Sequence, residues 1–162
     1  MAANIAPVAA ARMEGLYSIP VEHGVEAASQ VYKKGSFLIY SSGKVAIAGA
    51  NPASILGIAA NAATGVTSTD APYIPVLLQI LFELCVDGAL VATNAPGTGK
   101  PSDLTIGATY GISLDAASGN WYLDSSKSAA NQVARLIEYD SDQSAVINGR
   151  VRVRILIANT YF

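Results

Sequence analysis

The chain has 162 residues with 10 Lys and Arg, 12 Asp and Glu and 1 His, so its formal net charge is −2. Charged residues make up 14% of the chain, against a usual ~25% in soluble domains, and hydrophobic residues make up 51%. This composition excludes ordinary disorder, and it excludes a nucleic-acid-binding protein that relies on a strong positive field. Because a free monomer needs a charged surface to stay soluble, we expect other subunits to cover part of the apolar surface.

Residues 1–30 are predicted to form an extended N-terminal arm, because the segment is Ala-rich, contains Pro7 and Pro20 and has no sustained period of 2 or 3.6. A short helix over residues 8–13 is an alternative for part of it. Ordering a chain costs about 1–2 kcal/mol per residue in backbone entropy, so the arm is either a disordered tail or laid along a large partner surface. In the second case the partner-binding anchors would be Ile5, Val8, Leu16, Tyr17 and Ile19.

Residues 31–162 are predicted to form one all-β domain, a small β-barrel or sandwich, because short strands alternate with turns every 8–12 residues. In the first half, the pattern predicts a hairpin around a Ser41-Ser42-Gly43 turn and a third short strand. A loop over residues 62–71 and one long strand over residues 75–86 follow. In the second half we expect four strands, over residues 104–114, 121–123, 132–139 and 150–158.

The sequence contains no convincing catalytic, cofactor or metal motif. The Gly-rich segment over residues 94–102 is not a phosphate-binding loop, because Asn94 replaces the first Gly and Pro101 the Ser or Thr that must follow Lys100. His23 lies in the arm and Cys85 in an apolar strand, so we expect no Cys–His pair. We predict neither an enzyme nor a cofactor, and we also expect no signal peptide and no membrane span.

The last strand carries alternating arginines, with Val151, Val153 and Ile155 between them. We expect the arginines to share one face and to form ion pairs, across an interface or within the chain. If the preceding loop centres on Val146, three acidic residues fall opposite; if Asn148-Gly149 makes the turn, that register is lost. The candidates for these ion pairs are Arg150, Arg152, Arg154, Glu138, Asp140 and Asp142.

The chain resembles the capsid cement, or head decoration, proteins of tailed phages over roughly residues 30–158. The resemblance lies in patterns of glycine and β-branched residues: KKGSFL (33–38), GKVAIA (43–48), ILGIA (55–59), Pro75-Val76 before a long strand, IGATYG (106–111) and GRVRVRI (149–155). The long loops at 61–73 and 90–103 and the arm depart from the shortest members of that family.

The resemblance implies a β-rich virion protein, made in the bacterial cytoplasm, that sits on the outer capsid surface as a homotrimer and clamps major capsid protein subunits. Partners would be its own copies and the major capsid protein, with neither nucleic acid nor membrane. One alternative is a trimeric fibre or adhesin module that binds host glycans, for which Trp121 would offer a sugar-binding edge. A second alternative is a trimeric nucleotide hydrolase of the deoxyuridine triphosphatase type, whose motifs the sequence lacks.

Overall fold

The structure is a computed structural model that describes residues 11–13, 21–49, 52–76, 80–86, 100–114, 121–124, 129–139, 141–142, 144–146 and 149–159. Within these residues the fold is all-β, as predicted, with two sheets and three 3-10 turns at Pro101–Asp103, Ala129–Asn131 and Ile157–Asn159. The strands in chain order are β1 (Ala11–Met13), β2 (Glu22–Val25), β3 (Phe37–Ser41), β4 (Lys44–Ile47), β5 (Gly57–Ala59), β6 (Asp70–Pro75), β7 (Ile80–Val86), β8 (Thr109–Leu114), β9 (Trp121–Asp124), β10 (Ala134–Glu138) and β11 (Arg150–Ile155).

The first sheet has the strand order β2-β6-β5-β3-β4 and is antiparallel throughout. Its β3–β4 hairpin confirms the predicted one: Ser41 pairs with Lys44, and Ser42 and Gly43 both have positive φ, at 52° and 75°. Positive φ at both central residues is the signature of the type I′ turn that suits twisted strands. Close packing requires Gly57 on β5, because a Cβ there would collide with the carbonyl group of Ile74.

The first sheet curls until its edge strands meet. Glu26, next to β2, forms a parallel bridge with Val45 of β4, and the amide of Ala27 donates to the Val45 carbonyl at 2.9 Å. Residues 22–25, which fall within the predicted arm, therefore belong to this sheet. The curled sheet encloses a cluster of buried side chains: Tyr32, Leu38, Val45, Leu56, Ala59, Ala71 and Tyr73.

Two predictions around residues 62–86 are wrong in detail. The loop predicted over residues 62–71 ends earlier, since β6 begins at Asp70. The single strand predicted over residues 75–86 is two strands in different sheets, since β6 ends at Pro75 and β7 begins at Ile80. Strand β6 lies between β2 and β5, although Pro72 and Pro75 argue against a central strand because proline cannot donate to the ladder. Pro72 still contributes through its carbonyl, which accepts from the amide of Ala60 at 3.0 Å.

The second sheet has the order β1-β7-β11-β10-β8-β9, and β9 also pairs in parallel with β7. Strands β7, β11, β10, β8 and β9 therefore form a closed circuit, to which β1 adds at the edge of β7. In this pairing Ala11 lies opposite Phe82 and Met13 opposite Ile80. The helix considered for residues 8–13 is thus wrong for residues 11–13, which are extended; residues 8–10 lie outside the described residues.

Both sheets contribute to one buried core. Phe37 and Ile58 of the first sheet belong to the same cluster as Trp121 and Val153 of the second. The Phe37 and Trp121 rings meet edge to face, with centroids 5.2 Å apart and an 81° angle between planes, an arrangement that contributes about 0.5–1.5 kcal/mol beyond area burial. Asn159 adds a polar link: its carbonyl accepts from the amide of Ile55 at 2.7 Å, and its Nδ2 donates to the carbonyl of Ala53 at 2.8 Å.

Candidate functional site

Strand β11 separates an apolar face from an arginine face, as its alternation predicts. Val151 and Val153 are fully buried, whereas Arg150 is exposed and Arg152 and Arg154 are half-buried. The apolar side chains point into the core because successive residues of a strand point to opposite faces. The arginines therefore lie on the outer face of the second sheet.

Every arginine of the chain lies on a strand of this sheet. Arg135 of β10 pairs in register with Arg154 of β11. Ala11 of β1 and Val153 of β11 both pair with Phe82 of β7, from opposite sides. Both strands run antiparallel to β7, so the residue that follows each of them lies in the next row of the sheet. Arg12 and Arg154 therefore share that row. We call these three positions the arginine row: Arg12, Arg154 and Arg135.

The adjacent row of the same face contains both signs of charge. Arg152 pairs in register with Glu83 of β7 on one side and with Glu138 of β10 on the other. The Nη1 atom of Arg152 donates to the Glu138 Oε1 atom at 3.0 Å, with side chains 23% and 47% exposed. We call Glu83, Arg152 and Glu138 the mixed row.

A β-bulge determines which residues meet. Leu136 pairs with Val153 but Glu138 pairs with Arg152, so Ile137 is the extra residue on β10. A bulge of this kind adds one residue to one strand and shifts all later pairs. The predicted position of Glu138 opposite Arg154 is therefore wrong, since Arg135 occupies it.

Asn148 lies outside the described residues, so the predicted Asn148-Gly149 turn stays a prediction. Strand β10 ends at Glu138 and β11 begins at Arg150, so residues 139–149 form the connection. Asp142 is exposed within that connection, and Asp140 lies outside the described residues. Of the predicted ladder of acidic residues and arginines, the structure brings together the Glu138–Arg152 pair.

Two members of the arginine row, Arg135 and Arg154, have no such acidic partner in the part of the chain that the structure describes. Arg135 is exposed, and neither it nor Arg154 forms an ion pair with a described residue. The Nε atom of Arg154 is buried and has no hydrogen-bond partner. Like charges directly opposite each other on a sheet are destabilising, so the Arg135–Arg154 pair is an unfavourable contact that no described residue compensates.

The carboxylates of the first sheet are, by contrast, paired within the chain. Glu26 is 1% exposed and accepts from the amides of Thr64 at 3.0 Å and Gly65 at 2.7 Å. Burial, together with the nearby charge and hydrogen bond of Glu26, raises the pKa of Tyr32 from 10.0 to about 12. The sequence offers no signal for Glu26, because it follows β2 inside the segment predicted as an extended arm.

A second polar group joins two tyrosines to a carboxylate. The Tyr73 hydroxyl donates to the Glu22 Oε2 atom at 2.9 Å and lies 3.3 Å from the Tyr40 hydroxyl. Burial, followed by the hydrogen bonds to Tyr40 and Glu22, raises the pKa of Tyr73 well above its ordinary value. These contacts link β2, β6 and β3 and therefore support the curled sheet.

The candidate chemical groups do not assemble into a catalytic or metal site among the described residues. The His23 Nδ1 atom lies 2.8 Å from the Asp70 Oδ2 atom, and both side chains are more than 60% exposed, at 61% and 62%. Cys85 lies in the other sheet, on β7, paired in register with Arg150. No group of three or more His, Cys, Asp or Glu side chains in the described residues could hold a metal ion.

Three further predictions concerned Trp121, the Gly-rich segment over residues 94–102 and the anchors of the arm. Trp121 is 4% exposed and packs in the core, so it offers no sugar-binding edge. The segment that superficially resembles a phosphate-binding loop ends in the 3-10 turn Pro101–Asp103, where the Lys100 amide donates to the Asp103 Oδ2 atom at 3.0 Å. The predicted anchors of the arm lie outside the described residues: Ile5, Val8, Leu16, Tyr17 and Ile19.

Comparison with family models, curated proteins and solved structures found no match to the chain. Within the described residues, no helix is both long enough and apolar enough to cross a membrane. The candidate functional site therefore rests on the geometry of the second sheet, where the sequence pattern pointed to the three arginines of β11 and missed Arg12 and Arg135.

Proposed function

We propose that the protein is a capsid decoration protein, which binds the outer surface of a tailed-phage head as a homotrimer and stabilises contacts between major capsid protein subunits. The observation that carries the proposal is the low content of charged residues, 14% of the chain, which leaves apolar surface that other subunits would cover. The sequence resemblance supports the same role. Ala11–Met13 already pairs with Ile80–Phe82 of β7 within the chain, so the capsid contacts are assigned to the other residues of the arm.

The proposed mechanism is cementing through buried area and strand pairing, with no bond chemistry. Strand addition provides main-chain hydrogen bonds, and side-chain pockets then provide specificity. A standard protein interface buries about 1,600 Å², and several linked interfaces reinforce one another through effective concentration. A trimer at a junction between capsid subunits would use both effects.

Deletion of the arm tests this proposal. We expect a variant lacking residues 1–20 to remain a folded oligomer and to lose binding to empty heads in a co-sedimentation assay, because the arm provides the capsid contacts. A variant lacking residues 1–10 retains β1 and removes Ile5 and Val8, so it separates the anchors from the strand.

Circular dichroism and sedimentation equilibrium provide the controls for folding and for the trimer. Undiminished head binding by the variant lacking residues 1–20 would contradict the role of the arm. A stable monomer that ignores heads in its full-length form would contradict the function itself.

A further inference from the structure

We propose that Arg135 and Arg154 bind a carboxylate side chain of a partner protein, so that the arginine row is a docking surface for an acidic protein segment. The inference rests on the proposed function in one respect, namely that the partner presenting this segment would be the major capsid protein. The binding chemistry itself depends on the residues of the second sheet alone.

Two neighbouring rows on one face differ in how their arginines are paired. In the mixed row, Arg152 has a carboxylate partner, Glu138, at 3.0 Å. In the arginine row, Arg135 stands where a carboxylate would complete the equivalent pair with Arg154. Residues directly opposite on antiparallel strands have Cβ atoms about 4.5–5.5 Å apart, so the two guanidinium groups are close enough to share one carboxylate.

The guanidinium group of Arg154 is partly desolvated. Its side chain is half-buried and its Nε atom is buried without an acceptor. The buried Nε shows how far the side chain is desolvated, and it is out of reach of a ligand. An incoming carboxylate would accept hydrogen bonds from the terminal nitrogens of Arg154 and Arg135, in the forked geometry that suits guanidinium groups.

The charges around the arginine row favour a protein carboxylate over a nucleic acid as the ligand. Glu83 and Glu138 occupy the next row of the same face, and the whole chain has a net charge of −2. A phosphate backbone laid over this face would meet the Glu138 carboxylate beside the row, and the chain lacks the positive field that favours nucleic acid. A short acidic segment can contact Arg135 and Arg154 alone.

The central experiment replaces Arg135 by Glu, which supplies the missing carboxylate from within the chain. We expect Arg135→Glu to fold with an unchanged or higher melting temperature, because it converts a like-charge pair into an ion pair. We also expect its affinity for empty heads to fall by roughly tenfold, because the docking surface is already occupied. Lys34→Glu is the matched control, since it makes the same charge change on an exposed residue outside the second sheet, and its affinity should stay close to that of the unaltered protein.

A second measurement separates this inference from the proposed function. Hexaglutamate is titrated into the isolated protein while the Nε–Hε resonances of the arginines are followed by NMR. We expect the Arg135 and Arg154 resonances to shift, the shift to disappear at high salt, and the Arg154 resonance to stay unchanged in Arg135→Glu.

Resonance shifts in a protein that does not bind heads would support the docking surface and overturn the capsid role. Head binding unaffected by Arg135→Glu, together with no shift from hexaglutamate, would overturn the docking surface and leave the capsid role standing. A larger shift from a hexanucleotide than from hexaglutamate would overturn the assignment to a protein carboxylate.

Discussion

The two sheets treat their charged side chains in opposite ways. In the first sheet, Glu26 is buried among amide and hydroxyl donors, and Glu22 and Asp70 each have a partner in the chain. In the second sheet, Arg135 and Arg154 face each other with no described acidic partner. The difference teaches that the polar groups of the first sheet hold this chain together, whereas the outer face of the second has pairing capacity left for another molecule.

The largest effect is expected at Glu26. Replacing it by Ala leaves the amides of Thr64 and Gly65 without their acceptor inside the protein, and we expect the free energy of unfolding to fall by about 3 kcal/mol in urea denaturation. Glu26→Gln keeps one acceptor oxygen and should cost less. Glu22→Ala, at an exposed position, is the control and should cost under about 1 kcal/mol. A smaller loss for Glu26→Ala than for Glu22→Ala would contradict the contrast between the sheets.

An intermediate effect is expected from alkaline pH. The pKa of Tyr32 is 10.0 in the unfolded chain and about 12 in the folded protein, so the neutral phenol is favoured by folding. Its contribution to stability is complete below pH 10 and is lost as the pH rises from 10 to about 12, because the unfolded chain ionises first. We expect the unfolding free energy of Tyr32→Phe to fall less steeply over this range in denaturation curves. Equal slopes in the two proteins would show that Tyr32 is not responsible.

The smallest effect is expected in the mixed row. Glu138→Gln removes the ion pair with Arg152 at a position that is 47% exposed, where such pairs contribute about 0.2–1 kcal/mol. We expect a change of that size in urea denaturation, reduced further by salt. Combining it with Arg152→Gln in a double-mutant cycle isolates the pair. A loss above about 2 kcal/mol would indicate that this face is more strongly desolvated than its exposure implies.

The sequence predicts the features that depend on local pattern. The β3–β4 hairpin follows from alternating residues around Gly43, and the two faces of β11 follow from its alternating Val and Arg. In both places the local preference and the observed structure agree, because a strand with one buried face must place its apolar residues two apart.

Features that depend on long-range pairing escape the sequence. Strand β6 contains Pro72 and Pro75, and only its position between β2 and β5 makes it a strand. The bulge at Ile137 changes the cross-strand partner of Glu138 from Arg154 to Arg152, and no residue type in the sequence predicts this bulge. The arginine row draws on β1, β10 and β11, so only the register of the sheet makes Arg135 a neighbour of Arg154 and places Arg12 in the same row, with Leu81 of β7 between Arg12 and Arg154.

The hydrogen bonds of Asn159 have a consequence for synthesis of the protein. Asn159 reaches Ala53 across 106 positions of the sequence, and its carbonyl holds the amide of Ile55. A ribosome synthesises residues 52–76 long before Asn159, so the amide of Ile55 lacks its Asn159 acceptor during most of the elongation of the chain. The strands of the first sheet all lie within residues 22–75, but these two hydrogen bonds wait for translation to reach Ile157–Asn159. Until then the two backbone groups are open to chaperones and to pairing with another segment.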